Sequence, residues 1–137
     1  MSVEVIGKYL GAKKVELVHR PSGETLITEA PKDNGGEGRS FSPTDLVATA
    51  YGSCVMTTIA IVAERFGVSV EGMHMRVEKH MQSEPRRIGH IPLEVHLPEH
   101  LSEQERHKLE RAGLACPVHK SLHPDVKAEI TYIYDVK

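Results

Sequence analysis

The feature that most constrains the fold is a long helical segment in the middle of the chain. Ser42 followed by Pro43 marks its start, because a serine side chain caps free backbone N–H groups and proline fits the first helical position. Gly67 marks its end, since glycine commonly stops a helix. We expect this helix to extend to Arg65 or Phe66, which makes it the longest element of the chain.

Cys54 lies inside this helix, and the helical period indicates which way it faces. At about 100° per residue it shares an apolar stripe with Leu46, Ala50, Thr57 and Ile61. The stripe predicts that Cys54 faces a core rather than water. A neighbouring cluster of small residues predicts a close approach by another backbone; it comprises Ala48, Ala50, Gly52 and Ser53.

The remaining segments predict strands on both sides of the helix and two shorter helices after it. Strand patterns cover 3–9, 14–19, 25–28, 73–81, 91–97 and 125–136. Residues 30–40 carry too little apolar material to pack and are expected to form a loop. A capping-box pattern at Ser102 and Glu105 opens the second helix, and Cys116-Pro117 starts a short third one. This order, with hairpin-style connections, predicts an α+β fold with antiparallel sheet in a single domain, 1–137.

The composition excludes several classes of protein. Hydrophobic residues make up 39% of the chain and charged residues 26%, as in ordinary folded proteins, and the net charge is −2. The charges are interspersed, so nothing indicates a nucleic-acid surface. The N-terminus has no signal-peptide pattern, and the most apolar stretch, 55–63, is too short to span a bilayer. We therefore expect a cytoplasmic protein without a nucleic-acid or membrane partner.

The chain has two cysteines, and they occupy different kinds of position. Cys54 is either a small buried hydrophobe with a raised pKa or a nucleophile activated by a nearby cation. Arg39, at the end of the glycine-rich loop, is the candidate cation. Cys116 precedes Pro117 and is therefore a candidate helix N-cap, a position that favours thiolate. Two such thiols can run a dithiol–disulfide cycle if the fold brings their Cα atoms within about 7 Å.

Nine histidines raise the alternative of a metal site. Cys116, His119 and His123 stand at helical ligand spacing, but no second paired motif completes a set of ligands. The other histidines are scattered on alternating faces of the predicted strands. We therefore expect neither a metal nor a cofactor.

Two motifs resemble those of the OsmC/Ohr family, the osmotically inducible and organic hydroperoxide resistance proteins. The first is Ser42-Pro43-Thr44-Asp45-Leu46 followed by Ala50-Tyr51-Gly52-Ser53-Cys54, and the second is Cys116-Pro117-Val118 leading into Lys127-Ala128-Glu129-Ile130-Thr131. The resemblance covers nearly the whole chain. It implies antiparallel sheets wrapped around a long central helix in an intertwined homodimer, with active sites at the subunit interface. It also implies reduction of organic hydroperoxides by a cysteine pair that small dithiols or lipoylated proteins recycle.

The resemblance assigns roles to particular residues. Cys54 matches the peroxidatic thiol and Cys116 the resolving one, and Arg39 resembles an arginine that some members carry in the loop before the helix. Thr44 occupies the position of the family's glutamate, whose carboxylate holds the arginine over the thiolate. Because Thr44 carries no charge, Glu37 and Asp45 are the candidates for a replacement carboxylate.

Two hypotheses of function follow from these residues. The first is a thiol-dependent peroxidase in which a hydroperoxide oxidises Cys54, Cys116 forms the disulfide and an external thiol restores both. The second is a non-catalytic protein that binds a small hydrophobic ligand at the dimer interface, with structural or redox-sensing thiols. Thr44 in the carboxylate position favours the second hypothesis. A thiol titration separates them, because a Cys54 pKa above about 8.5 supports binding and a lower one supports catalysis.

Overall fold

The structure is a computed structural model that describes all residues, 1–137. The chain divides into two compact units, 1–46 and 47–137. The first unit contains three strands and a short 3₁₀ turn, Lys32–Asn34, within the loop that the sequence predicts. The strands are β1 (Val5–Gly11), β2 (Lys14–His19) and β3 (Thr25–Glu29), and they form an antiparallel sheet in the order β1-β2-β3.

This first sheet buries very little of its own surface. Thr28 and Glu29 are the buried residues of its strands. Its large apolar side chains are instead exposed, namely Val5, Ile6, Tyr9, Leu10, Leu26 and Ile27. A small sheet needs a covered apolar face for stability, and this one has none within its own unit.

The long helix α1 (Pro43–Arg65) begins in the last residues of the first unit and continues through the second. The second unit also contains β4 (His74–Val77), β5 (His80–Gln82), β6 (Arg87–Pro98), α2 (Glu103–Leu114), α3 (Pro117–Ser121) and β7 (Lys127–Val136). By length and composition α1 also has the size of a membrane span, with a mean hydropathy of 1.8 in its most apolar part. Buried core helices of soluble proteins share that property.

The second sheet is mixed, which corrects the prediction of purely antiparallel sheets. β4 and β5 pair with β6 in antiparallel fashion, whereas β7 pairs with β6 in parallel. The physical reason is the connection between β6 and β7, which contains α2 and α3 and so crosses over rather than turning back as a hairpin. The α+β class is confirmed.

The buried face of α1 differs from the predicted stripe. The residues that this helix buries are Ala48, Tyr51, Gly52, Val55, Ile59 and Ala63. Alternate residues of β6, from Ile91 to Leu97, belong to the same core cluster. Ala50, Thr57 and Ile61 are exposed, so the expectation that the whole stripe faces a core is wrong. Cys54 itself is half-buried and packs against the core cluster. Small and apolar residues occur on every side of α1, and periodicity alone therefore does not select the core-facing side.

The small residues of α1 do allow a close approach, but a side chain and not a backbone makes it. A Cβ atom on Gly52 would lie 2.8 Å from Met75 Cε and 3.4 Å from Leu93 Cδ1. The glycine therefore admits β4 and β6 side chains against the helix. This close packing holds the turn of α1 that contains Gly52 and Cys54 against the second sheet.

The helix boundaries agree closely with local sequence signals. Gly67 follows α1 with a φ of +66°, a left-handed conformation that glycine adopts without strain. Ser102 and Glu105 form both reciprocal bonds of a capping box at the start of α2. Cys116 is the N-cap of α3, and Pro117 follows it at the first helical position. These predictions are confirmed because each depends on a few neighbouring residues.

Candidate functional site

Cys54 lies on α1 at the edge of the core and is a free, half-buried thiol. It packs against the buried cluster to which Tyr51 and Val55 belong. One turn later, Thr58 Oγ1 donates a hydrogen bond of 2.8 Å to the Cys54 carbonyl oxygen. Cys54 therefore lies on a regular helical turn, and its side chain is partly exposed.

Cys116 is fully buried and also a free thiol. The backbone N–H of His119 donates to its sulfur over 3.5 Å, as expected for an N-cap side chain. Burial raises the pKa of this thiol, a hydrogen bond with Cys54 raises it further, and the N–H groups of His119 and Val118 only partly oppose the rise. The predicted thiolate character of Cys116 is therefore wrong. Helix α3 has only five residues, and the pKa increase from burial outweighs the decrease from the N–H groups at its N-terminus.

The second unit brings the two thiols to the same part of the core. Cys116 belongs to the buried cluster, and Cys54 packs against that cluster. After burial, the Cys54 side chain is the next cause that raises the pKa of Cys116. The two sulfurs are therefore candidates for one thiol–disulfide pair.

Tyr51 forms part of the wall beside this pair, and the sequence alone gave it no role. It is fully buried, and its ring centroid lies 5.8 Å from that of His119. Burial raises the pKa of Tyr51 to about 12, with smaller contributions from Cys116 and Glu129. Its hydroxyl is the buried side-chain polar atom without a hydrogen-bond partner. A signal was present in the sequence, since Tyr51 precedes Cys54 by three residues and therefore lies beside it on the helix.

Arg39 lies in the first unit and is held by two carboxylates. Its Nη2 atom is 3.4 Å from Glu29 Oε1, its Nε atom is 3.1 Å from Glu37 Oε2, and its backbone N–H donates to Glu29 Oε2 over 3.2 Å. The Glu29 side chain is only 3% exposed. Burial acts to raise the pKa of Glu29, but the hydrogen bonds and charge of Arg39 outweigh it and keep the pKa below its usual value.

Thr44 and Asp45 belong to the start of α1. Ser42 Oγ accepts the Asp45 N–H over 3.1 Å, and Asp45 Oδ2 accepts the Ser42 N–H over 2.9 Å. Asp45 thus serves as the acidic member of a capping box, while Thr44 Oγ1 lies 3.2 Å from Ser42 Oγ. The candidate replacement carboxylate Glu37 contacts Arg39, and Glu29, which was not among the candidates, contacts it from a buried position. Sequence reasoning missed Glu29, because it lies ten residues before Arg39 and only the fold of the intervening loop brings the two side chains together.

A shallow depression lies against Arg39 in the first unit. It has a volume of about 400 Å³ and is lined by Gly38, Arg39, Ser40, Phe41 and Asp45. Phe41 is 52% exposed and gives the depression an apolar side beside the guanidinium. Such a surface suits a ligand with one polar end and one apolar end.

No three His, Cys, Asp or Glu side chains are grouped as a metal ion requires. His119 faces Tyr51, and His123 Nδ1 accepts the backbone N–H of Asp125 over 3.0 Å. Three histidines of the second sheet pair with carboxylates: His80 with Glu78, His90 with Glu129, and His96 with Glu94 and Asp135. His74 Nδ1 instead lies 3.1 Å from the Gly72 carbonyl oxygen.

Comparisons with known proteins agree with this architecture. A family model described as OsmC-like protein matches residues 35–131. A Psychrobacter arcticus structure, described as an osmotic stress induced and detoxification response protein, is 33% identical; the match covers 96% of this chain and 95% of that one, with a TM-score of 0.88.

Two further solved structures share the fold at lower identity. An organic hydroperoxide resistance protein OsmC from Legionella pneumophila is 20% identical, with 97% of each chain covered and a TM-score of 0.78. The organic hydroperoxide resistance protein OhrB of Bacillus subtilis is 16% identical, with 96% of this chain and 98% of that one covered and a TM-score of 0.69. No curated protein sequence matches this chain significantly.

Proposed function

Because the chain belongs to the OsmC-like protein family, we propose that it is a thiol-dependent peroxidase that reduces organic hydroperoxides. The observation that carries the proposal is that Cys54 packs against the core cluster that contains Cys116, and that the Cys54 side chain contributes to the raised pKa of Cys116. Two of the solved proteins that share its fold are described as organic hydroperoxide resistance proteins, which supports the same reaction class.

The proposed cycle uses the two sulfurs in a fixed order. The Cys54 thiolate attacks the O–O bond of the hydroperoxide, so that the alcohol leaves and Cys54 becomes a sulfenic acid. Cys116 then displaces the sulfenic oxygen as water and forms the disulfide. An external dithiol, either small or carried as a lipoyl group on a protein, reduces this disulfide and takes up the oxidising equivalents.

The difference in burial supports this assignment of roles. Cys54 is half-buried, so a hydroperoxide can reach its sulfur. Cys116 is fully buried with a raised pKa, and it therefore stays protonated and is a poor target for the peroxide itself.

We propose that Arg39 supplies the cation for the peroxidatic step and that Glu29 supplies the carboxylate that orients it. The alternative of a non-catalytic ligand-binding protein rested on Thr44, which cannot hold an arginine by charge. Glu29 weakens that argument, because a buried carboxylate already contacts the guanidinium from another position. Thr44 remains a proposed neutral site residue at the start of α1.

A homodimer is also part of the proposal. The exposed apolar side chains of the first sheet require a cover that this unit does not contain, and Ile61 of α1 is also 47% exposed. A second copy of the chain is the proposed cover, as expected for an intertwined dimer. We propose a cytoplasmic location, because two free thiols persist best in a reducing compartment.

The test treats the reduced protein with one equivalent of cumene hydroperoxide and follows both sulfurs by mass spectrometry. We expect an intramolecular disulfide in the wild type and a sulfenic acid that dimedone traps in Cys116→Ser. Glu29→Gln is expected to slow the oxidation of Cys54 more than Glu37→Gln does, since Glu29 is buried and Glu37 is exposed. Unchanged free thiols at millimolar hydroperoxide would refute the peroxidase proposal.

A further inference from the structure

The Tyr51 hydroxyl is a buried polar group that the peroxidase cycle described above does not use. The residue is fully buried, and its Oη atom has no hydrogen-bond partner. Buried hydroxyls almost always have a partner, because an unpaired one destabilises the folded protein. A phenylalanine would fill the same space without that cost. The hydroxyl is therefore the unusual feature of this position, and the ring alone does not account for it.

The Tyr51 side chain lies next to the segments that carry both cysteines. Tyr51 precedes Cys54 by three residues on α1, and its ring faces His119, whose backbone N–H bonds to Cys116 Sγ. Burial is the main cause of the raised Tyr51 pKa, and the charge of Cys116 adds to it.

The other two tyrosines of this unit are half-buried, and their hydroxyls have partners. Tyr132 Oη donates to the Glu110 carbonyl oxygen over 3.2 Å, and Tyr134 Oη donates to the Glu110 carboxylate. The tyrosine without a partner is thus Tyr51, which is three residues from Cys54 in the sequence. Tyr132, whose hydroxyl has a partner, offers a matched control.

We propose that the Tyr51 hydroxyl donates a hydrogen bond to the oxygen that leaves Cys54 when Cys116 forms the disulfide. This inference rests on the peroxidase function proposed above and adds a specific group for its resolving step. The oxygen is absent from the reduced protein, and so the donor has no partner until Cys54 carries a sulfenic acid. A pKa of about 12 keeps the phenol protonated throughout the neutral range.

The resolving step balances without any further reactant. Cys116 Sγ attacks Cys54 Sγ, the S–S bond forms as the S–O bond of the sulfenic acid breaks, and the oxygen leaves with the electron pair of that bond. The oxygen takes up the proton that Cys116 releases, so water is the product. Tyr51 keeps its own proton and stabilises the negative charge that develops on the leaving oxygen, as donors in an oxyanion hole do.

The experiment measures the two chemical steps separately in Tyr51→Phe, with Tyr132→Phe as the control. Reduced protein is mixed with one equivalent of cumene hydroperoxide, quenched at intervals and analysed for dimedone-trapped sulfenic acid and for disulfide. In Tyr51→Phe we expect sulfenic acid to form at the wild-type rate and disulfide to form about 10- to 100-fold more slowly. In Tyr132→Phe we expect both rates to remain at the wild-type values.

Thermal unfolding of the reduced proteins separates a chemical role from a structural one. Tyr51→Phe should melt at the wild-type temperature or above, because it loses a hydroxyl that has no partner. Tyr132→Phe should melt lower, because it loses a hydrogen bond. Disulfide formation at the wild-type rate in Tyr51→Phe, or a clear loss of its stability, would overturn the inference while leaving the peroxidase proposal intact. If the wild type forms neither a sulfenic acid nor a disulfide, the peroxidase proposal fails and this inference fails with it.

Discussion

The two capping boxes of this chain give a sharp prediction about the start of α1. Ser42 is 1% exposed and accepts the Asp45 N–H, whereas Ser102 forms the equivalent bonds with Glu105 at an exposed position. Replacing a serine N-cap by alanine costs about 0.5–2 kcal/mol. Water can reach the freed N–H at Ser102 but not at Ser42, and so Ser42→Ala belongs near the upper end of that range and Ser102→Ala near the lower.

Thermal or denaturant unfolding at one fixed protein concentration measures both losses. A chain of this size loses about 3–5 °C in Tm per kcal/mol, so we expect a drop of about 5–10 °C for Ser42→Ala and about 2–4 °C for Ser102→Ala. The double variant Ser42→Ala/Asp45→Ala should lose less than the sum of its single variants, because the two side chains stabilise one turn together. Equal losses at Ser42 and Ser102 would show that burial of the cap does not set its contribution.

Two pH dependences follow from charged pairs in the two units, with opposite signs. Arg39 holds the pKa of Glu29 below its unfolded value, so its stabilising effect is present above that value and is lost as the pH falls through the folded pKa. Glu29→Gln should therefore flatten the acid limb of unfolding free energy against pH. Hydrogen bonds to Asp135, and then to Glu94, raise the pKa of His96 against the opposing effect of burial. The contribution of His96 to the free energy of unfolding is complete below about pH 6.5 and is lost as the pH rises through the folded pKa. His96→Gln should therefore flatten the curve of unfolding free energy on the side of rising pH.

The predictable part of the fold is the part that local chemistry determines. Ser42 and Pro43 mark the start of α1, Gly67 follows its end, and Cys116 caps α3, all as the sequence indicates. The parallel pairing of β7 with β6 was not predicted, because it depends on where a crossover returns the chain. The face of α1 that enters the core was also mistaken, since its opposite sides are similarly small and apolar.

The candidate site divides in the same way. The family motifs single out Cys54 and Cys116 as candidates, and the structure adds that Cys54 packs against the core cluster that contains Cys116. Glu29 and Tyr51 emerge only from burial and partner geometry. In the sequence Glu29 is a glutamate at the end of a strand and cannot be told from an exposed carboxylate. In the structure it is buried, and the loop brings Arg39 into contact with it.

Burial of Cys116 is what gives the two thiols different chemistry. A helix N-terminus alone would favour the Cys116 thiolate, yet this sulfur is fully buried and no substrate can reach it. Desolvation opposes the effect of the N-terminus by raising the pKa of Cys116, and so the proton stays on this thiol. In the proposed cycle the same proton is needed later, when the sulfenic oxygen departs as water. Burial of Cys116 therefore serves both halves of the proposed cycle, first by keeping the peroxide away from this sulfur and then by retaining the proton that completes the leaving group.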